Sequence, residues 1–116
     1  MKKFTYKNYK NCSFSLNHYT ENPNAMAISI IKDDELIAVC TCYLDYITYT
    51  ENFITIKNYS ENSYMTNLFK DLGIILCIID RIPCNQFVKD SIYTDNPQTI
   101  DLCIIDLEKL KEYCNK

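Results

Sequence analysis

Glycine is almost absent from this chain, with Gly73 alone among 116 residues. A loop that wraps phosphate groups with its backbone needs several glycines close together, so nucleotide binding of the phosphate-loop kind is excluded. Prolines number three, which leaves the turns to Asn, Asp and Ser. The single histidine, His18, lies between Asn17 and Tyr19 at the end of an expected strand. A catalytic base also needs an orienting partner, so the expectation is a protein that is not an enzyme, with a thiol paired to His18 as the minority alternative. Long apolar runs are missing as well. The longest, Ile74–Ile79, falls far short of the roughly 20 residues that cross a bilayer. Lys2 and Lys3 are followed by polar residues rather than the apolar core of a secretory signal, so a cytoplasmic location with no membrane contact is expected.

Seven cysteines and ten tyrosines are what the chain does have. An odd cysteine count without an export signal argues against disulfides. Zinc favours paired ligands, and the only close pair is Cys40-Thr41-Cys42. Most cysteines sit in apolar runs, as small buried hydrophobes do. No cofactor and no metal are therefore expected, while a zinc site built by convergence in space stays open. The net charge of -3 is unevenly spread. Lys2, Lys3, Lys7 and Lys10 precede the first acid, Glu21, and from there eight basic residues face fifteen acidic ones. An acidic body argues against direct nucleic-acid binding, which calls for a basic stripe.

With 47% hydrophobic residues, the chain can bury one ordinary core, and residues 1–116 read as a single globular domain. Cys12, Phe14 and Leu16 alternate with polar residues, the period of a half-buried strand. The run 20–24 is a turn signal, 25–31 the next strand, 32–35 a hairpin tip, and 36–43 its return arm. Tyr43, Tyr46 and Tyr49 then recur in a loop up to Glu51. A strand follows at Phe53–Lys57 and a helix from about Ser60 to Leu72. Asn58 or Ser60 is its expected cap, Met65, Leu68, Phe69 and Leu72 its buried face, and Gly73 its left-handed terminus. Ile74–Asp80 is apolar on both faces and reads as a buried central strand or a buried helical turn. Pro83 breaks the chain. A strand at 85–93, a turn at 95–98 and a strand at 100–105 come next, and Asp106 is placed to cap a short last helix carrying Leu107, Leu110 and Cys114 on one face. The expected fold is α+β, an antiparallel sheet with one central helix packed on it and a short C-terminal helix.

The segment Ile54-x-x-Lys57-Asn58-Tyr59-Ser60-Glu61-Asn62, with the preceding hairpin strand and the following helix ending Leu72-Gly73-Ile74, resembles a family of small proteins carried by phages and mobile elements of Gram-positive bacteria. The likeness covers about Leu36 to Ile75. The likeness implies a fold and a mobile-element context; joined to the small single domain, the acidic body and the absent catalytic set, it leads to the expectation of a non-enzymatic protein that inhibits a host defence nuclease, an anti-CRISPR protein with a Cas9-type target. The partner would be a host protein with a basic nucleic-acid groove. Asp45, Tyr46, Tyr49, Glu51, Tyr59, Glu61 and Asn62 combine acids, an amide and tyrosines around the strand-to-helix turn, and form the expected partner-binding set. The acids of the hairpin tip, Asp33, Asp34 and Glu35, are the next candidates. The rival reading is a small structural or zinc-stabilised accessory domain without a defence target.

Overall fold

The computed structural model describes residues 1–84 and 98–115. The fold is α+β, but the strands form two antiparallel sheets rather than one. Strands β1 (Phe4–Tyr6), β2 (Tyr9–Tyr19), β3 (Asn22–Lys32) and β4 (Glu35–Val39) make a meander in chain order. Strands β5 (Phe53–Asn58), β6 (Ile75–Pro83) and β7 (Thr99–Ile105) make the second sheet, in the order β5-β7-β6. Helices α1 (Met65–Asp71) and α2 (Leu107–Lys111) follow β5 and β7.

The two sheets meet where the chain leaves β4. Cys40 still donates its N–H to Ile28 of β3 at 2.9 Å, but its carbonyl accepts from Lys57 of β5 at 2.8 Å, and Cys42 donates to Thr55 at 3.1 Å. This departure takes from Ile28 the acceptor that a continued ladder would supply. The buried Thr41 hydroxyl replaces it, accepting from the Ile28 N–H at 3.1 Å. A buried backbone donor left without an acceptor would cost about 1–3 kcal/mol, so the side chain at 41 is what permits the crossing. The C-terminal segment ties the sheets a second time. Phe14 donates to Tyr113 and accepts from Asn115, both at 2.8 Å.

Between these ties lies the core. Cys12 and Phe14 of β2, Met26, Ile28 and Ile30 of β3, Ile54 and Ile56 of β5, and Leu110 of α2 are buried at alternating or helical spacing. Phe69 of α1 packs its ring 4.9 Å from Phe14.

The expected helix is shorter than its periodicity suggests. Ser60–Asn62 forms a separate 3-10 turn, and Tyr64 sits in the left-handed region (φ 68°) before α1 begins. Asn58 nonetheless caps α1, from the last position of β5, by accepting the Thr66 N–H at 3.0 Å. Ser60 instead donates its N–H to Gln98 at 2.9 Å. Met65 and Phe69 are fully buried, while Leu68 and Leu72 are half-buried at the margin. The helix ends in a Schellman motif, with Gly73 (φ 76°) donating to Lys70 and Ile74 donating to Phe69, each at 3.0 Å. Asp106 caps α2, accepting from Lys109 at 3.1 Å.

The apolar run after Gly73 is a correction. It forms β6, at the margin of its sheet among the described residues, with Leu76 66% and Ile79 51% exposed. Its register shifts between Ile75 and Cys77 and again between Ile78 and Asp80. Each shift inserts one residue, so the apolar side chains do not collect on one buried face. The central place goes to β7. Strand β1 was not foreseen, and the expected strand at 85–93 and most of the turn at 95–98 lie outside the described residues. No helix among the described residues is long and apolar enough to cross a membrane.

Candidate functional site

The loop from Tyr43 to Asn52 has almost no regular structure and is held by aromatic packing. Tyr19, Tyr43, Tyr49 and Phe53 form a chain of ring contacts at 5.4, 5.6 and 5.8 Å. Tyr49 is 4% exposed, and its hydroxyl lies 3.0 Å from the Leu44 N–H and 2.9 Å from the Thr55 hydroxyl. Thr55 donates to the carbonyl of Cys42. The proton order follows: the Tyr49 hydroxyl accepts from Leu44 and donates to Thr55. Tyr49 is therefore the buried pin of the loop and not a surface anchor for a partner. Around that pin, Asp45 and Glu51 are exposed and Tyr46 is 68% exposed. A loop held this firmly presents its side chains at little further entropic cost.

Tyr59, Glu61 and Asn62 lie beyond the opposite end of β5. The strand separates the two groups by about 17 Å, five steps of roughly 3.3 Å. Tyr59 is half-buried beneath the Lys57 ammonium, 5.9 Å from the ring centre, and burial pushes its hydroxyl above the ordinary tyrosine value. Asn62 is buried and donates its amide to the Val39 carbonyl at 2.6 Å. It holds the fold and is not on the surface, a second correction to the expected set. Glu61 is exposed, and hydrogen bonds from its own backbone and from Ser60 lower its carboxyl pKa, helped by Lys57 and Lys7. Its carbonyl accepts from the Lys7 ammonium at 2.5 Å.

That lysine marks a cleft that the sequence did not announce. Tyr6, Lys7 and Tyr9 of the β1–β2 hairpin face Leu36 and Val39 of β4, with Lys57 and Glu61 completing the wall of a cavity of about 440 Å³. These positions lie up to 55 residues apart, from Tyr6 to Glu61, so no local pattern could reveal them.

A polar row also runs beneath α1. Asp101 is fully buried in β7, accepts from the Thr66 hydroxyl at 2.6 Å and from Thr99, and faces Arg81 at 3.5 Å. An acid inside the apolar strand 100–105 was the available signal for it. Cys40 and Cys103 are buried, and burial raises both thiols, Cys103 to about 12. Among the described residues no three His, Cys, Asp or Glu side chains converge as metal ligands. His18 is exposed on β2, opposite Met26.

Comparison of the chain with protein-family models, with curated proteins and with solved structures finds no match.

Proposed function

We propose that this is a non-enzymatic binding protein whose tyrosine loop, Tyr43 to Asn52, enters the basic groove in which a host nuclease holds its nucleic acid. The observation that carries this reading is the pinned loop. The Tyr43–Tyr49 stack and the Tyr19 ring against it fix its base, so Tyr46 is offered as an aromatic anchor between Asp45 and Glu51. An exposed tyrosine flanked by carboxylates suits a groove lined by Lys and Arg, where it competes with phosphates for the same cations. The resemblance of Leu36–Ile75 to phage and mobile-element proteins puts Cas9-type nucleases first among such partners and gives the protein the role of an anti-CRISPR inhibitor.

The test is a cleavage assay with a purified Cas9–guide complex, in which the protein is added before target DNA. Loss of both DNA binding and cleavage as the protein saturates the complex is the expected result. Undiminished cleavage at large excess overturns the Cas9 assignment. A cleavage loss that persists after Asp45→Lys, Tyr46→Ala and Glu51→Lys are combined overturns the loop assignment.

A further inference from the structure

The cleft between the β1–β2 hairpin and β4 calls for an occupant of its own. Among the described strands, β4 pairs with β3 alone. On its other side, β5 takes over the chain from Cys40 onward. Among the described residues, no strand covers the stretch Leu36–Val39; Asn62, which also lines the cleft, holds the Val39 carbonyl at 2.6 Å, and the rest of the stretch presents an open sheet edge. Such edges usually carry Lys or Pro to prevent further pairing, and Glu35-Leu-Ile-Ala-Val39 carries neither. Its one irregularity is a register shift that leaves Ile37 as an extra residue, which keeps any added pairing short. Leu36 is 63% and Val39 42% exposed, and Tyr9, 45% exposed, stands on the facing wall.

The charges around the cleft narrow the choice of ligand. Two cations, Lys7 and Lys57, line it. Among the described residues one acid lines it, Glu61, whose carboxylate is kept ionised by its own backbone N–H, by Ser60 and by the same two lysines. In a body where acids outnumber bases fifteen to eight after residue 20, this lining has two bases to one acid, an excess of one positive charge. The acids Asp33, Asp34 and Glu35 bound it at the hairpin tip, whereas Lys57 stands near the Val39 end, since its N–H bonds the next carbonyl, that of Cys40.

We propose that this groove captures an extended, acidic peptide segment of a partner protein, which adds to the edge of β4 as a short strand. Backbone hydrogen bonds to Leu36–Val39, the Val39 carbonyl excepted because Asn62 holds it, give the peptide its register. Alternate side chains pack between Leu36 and Tyr9, and its carboxylates pair with Lys7 and Lys57. A cleft walled on both sides admits one extended chain more readily than the edge of a second folded sheet. This site is distinct from the tyrosine loop, which lies at the other end of β5, and it stands or falls separately from the nuclease reading.

The probe is a short fluorescein-labelled peptide of alternating Glu and Val, titrated into the full-length protein and followed by anisotropy and by amide shifts in NMR. Saturable binding that shifts the amides of Leu36–Val39 and Lys7–Tyr9 is expected. A proline-interrupted peptide of similar charge and a Lys-Val peptide should each bind at least about tenfold more weakly, and Lys7→Glu together with Lys57→Glu should weaken the Glu-Val peptide by a similar factor. NMR dispersion of that variant verifies that it is folded, and shift mapping on the parent protein decides the question if it is not. Absence of binding up to about 1 mM peptide overturns the proposal. So does equal binding of the proline peptide, shifts confined to other residues, or a peptide-free dimer in which the β4 amides are already protected.

Discussion

At the Phe53 end of β5, Tyr49 is buried and Tyr46 stands 68% exposed between two exposed acids; at the Asn58 end, Tyr59 is half-buried and Asn62 is buried against Val39. The two stretches look alike in sequence, each offering tyrosines, acids and short polar residues. Their difference comes from what each polar group has to satisfy. In the loop, the buried Tyr49 hydroxyl bonds the Leu44 N–H and the Thr55 hydroxyl, and Asp45, Tyr46 and Glu51 are left to solvent. In the turn, Asn58 caps α1, Asn62 reaches Val39, and both Ser60 (φ 57°) and Tyr64 (φ 68°) take left-handed backbone conformations. Its polar residues are consumed in steering the chain from strand to helix. Residue type alone does not separate presentation from construction, whereas hydrogen-bond accounting does.

The sharpest way to break this contrast lies beneath the turn. Asp101→Ala removes the buried carboxylate that holds Thr66, Thr99 and Arg81, and should cost about 3–5 kcal/mol in denaturant unfolding. A loss below about 1 kcal/mol would mean that the polar row is not integral to that half of the fold. Next come the two pins. Tyr49→Phe and Asn62→Ala should each cost about 1–3 kcal/mol, because each leaves a backbone group without its partner. Only Tyr49→Phe should also speed amide exchange at Leu44, and fast Leu44 exchange in the parent protein would remove the rigid-loop argument. A smaller effect separates the two expected caps. Asn58→Ala should cost about 1–2 kcal/mol, while Ser60→Ala should leave α1 unaffected, since it is the backbone of Ser60 that bonds Gln98.

Smallest at neutral pH, and growing above it, is a pH dependence. Burial lifts the Cys103 thiol from 9.0 to about 12, and buried Cys40 is raised too. Above about pH 9 the unfolded chain loses thiol protons that the folded chain keeps. The folded state then binds more protons, so stability should fall as pH rises through this window, and Cys103→Ala should flatten part of the decline. Iodoacetamide at neutral pH should likewise mark exposed Cys77 well before Cys40 or Cys103.

Much of the fold was legible because it rests on short-range patterns. The alternation of Phe14 and Leu16, the acidic hairpin tip, the amphipathic face around Phe69, the Gly73 terminus and the Asp106 cap all follow from residues a few positions apart. What escaped the sequence depends on distant partners. The division into two sheets turns on Thr41 relieving Ile28. The late start of α1 turns on Asn62 reaching Val39 across 23 residues. The apolar look of Ile74–Ile79 suggested burial, and the two register shifts that defeat it have no sequence signature here. Of the expected site, Asp45, Tyr46, Glu51 and Glu61 are exposed, but β5 keeps Glu61 apart from the other three.

The loop's role is tested most directly by competition on a Cas9–guide complex, comparing the parent protein with the Asp45→Lys, Tyr46→Ala, Glu51→Lys triple variant and with Asn62→Ala at a temperature where all are folded. The parent and Asn62→Ala should block DNA binding alike, and the triple variant, as stable as the parent because its changes are on exposed side chains, should not. Inhibition retained by the triple variant, or lost through Asn62→Ala alone, would contradict that role.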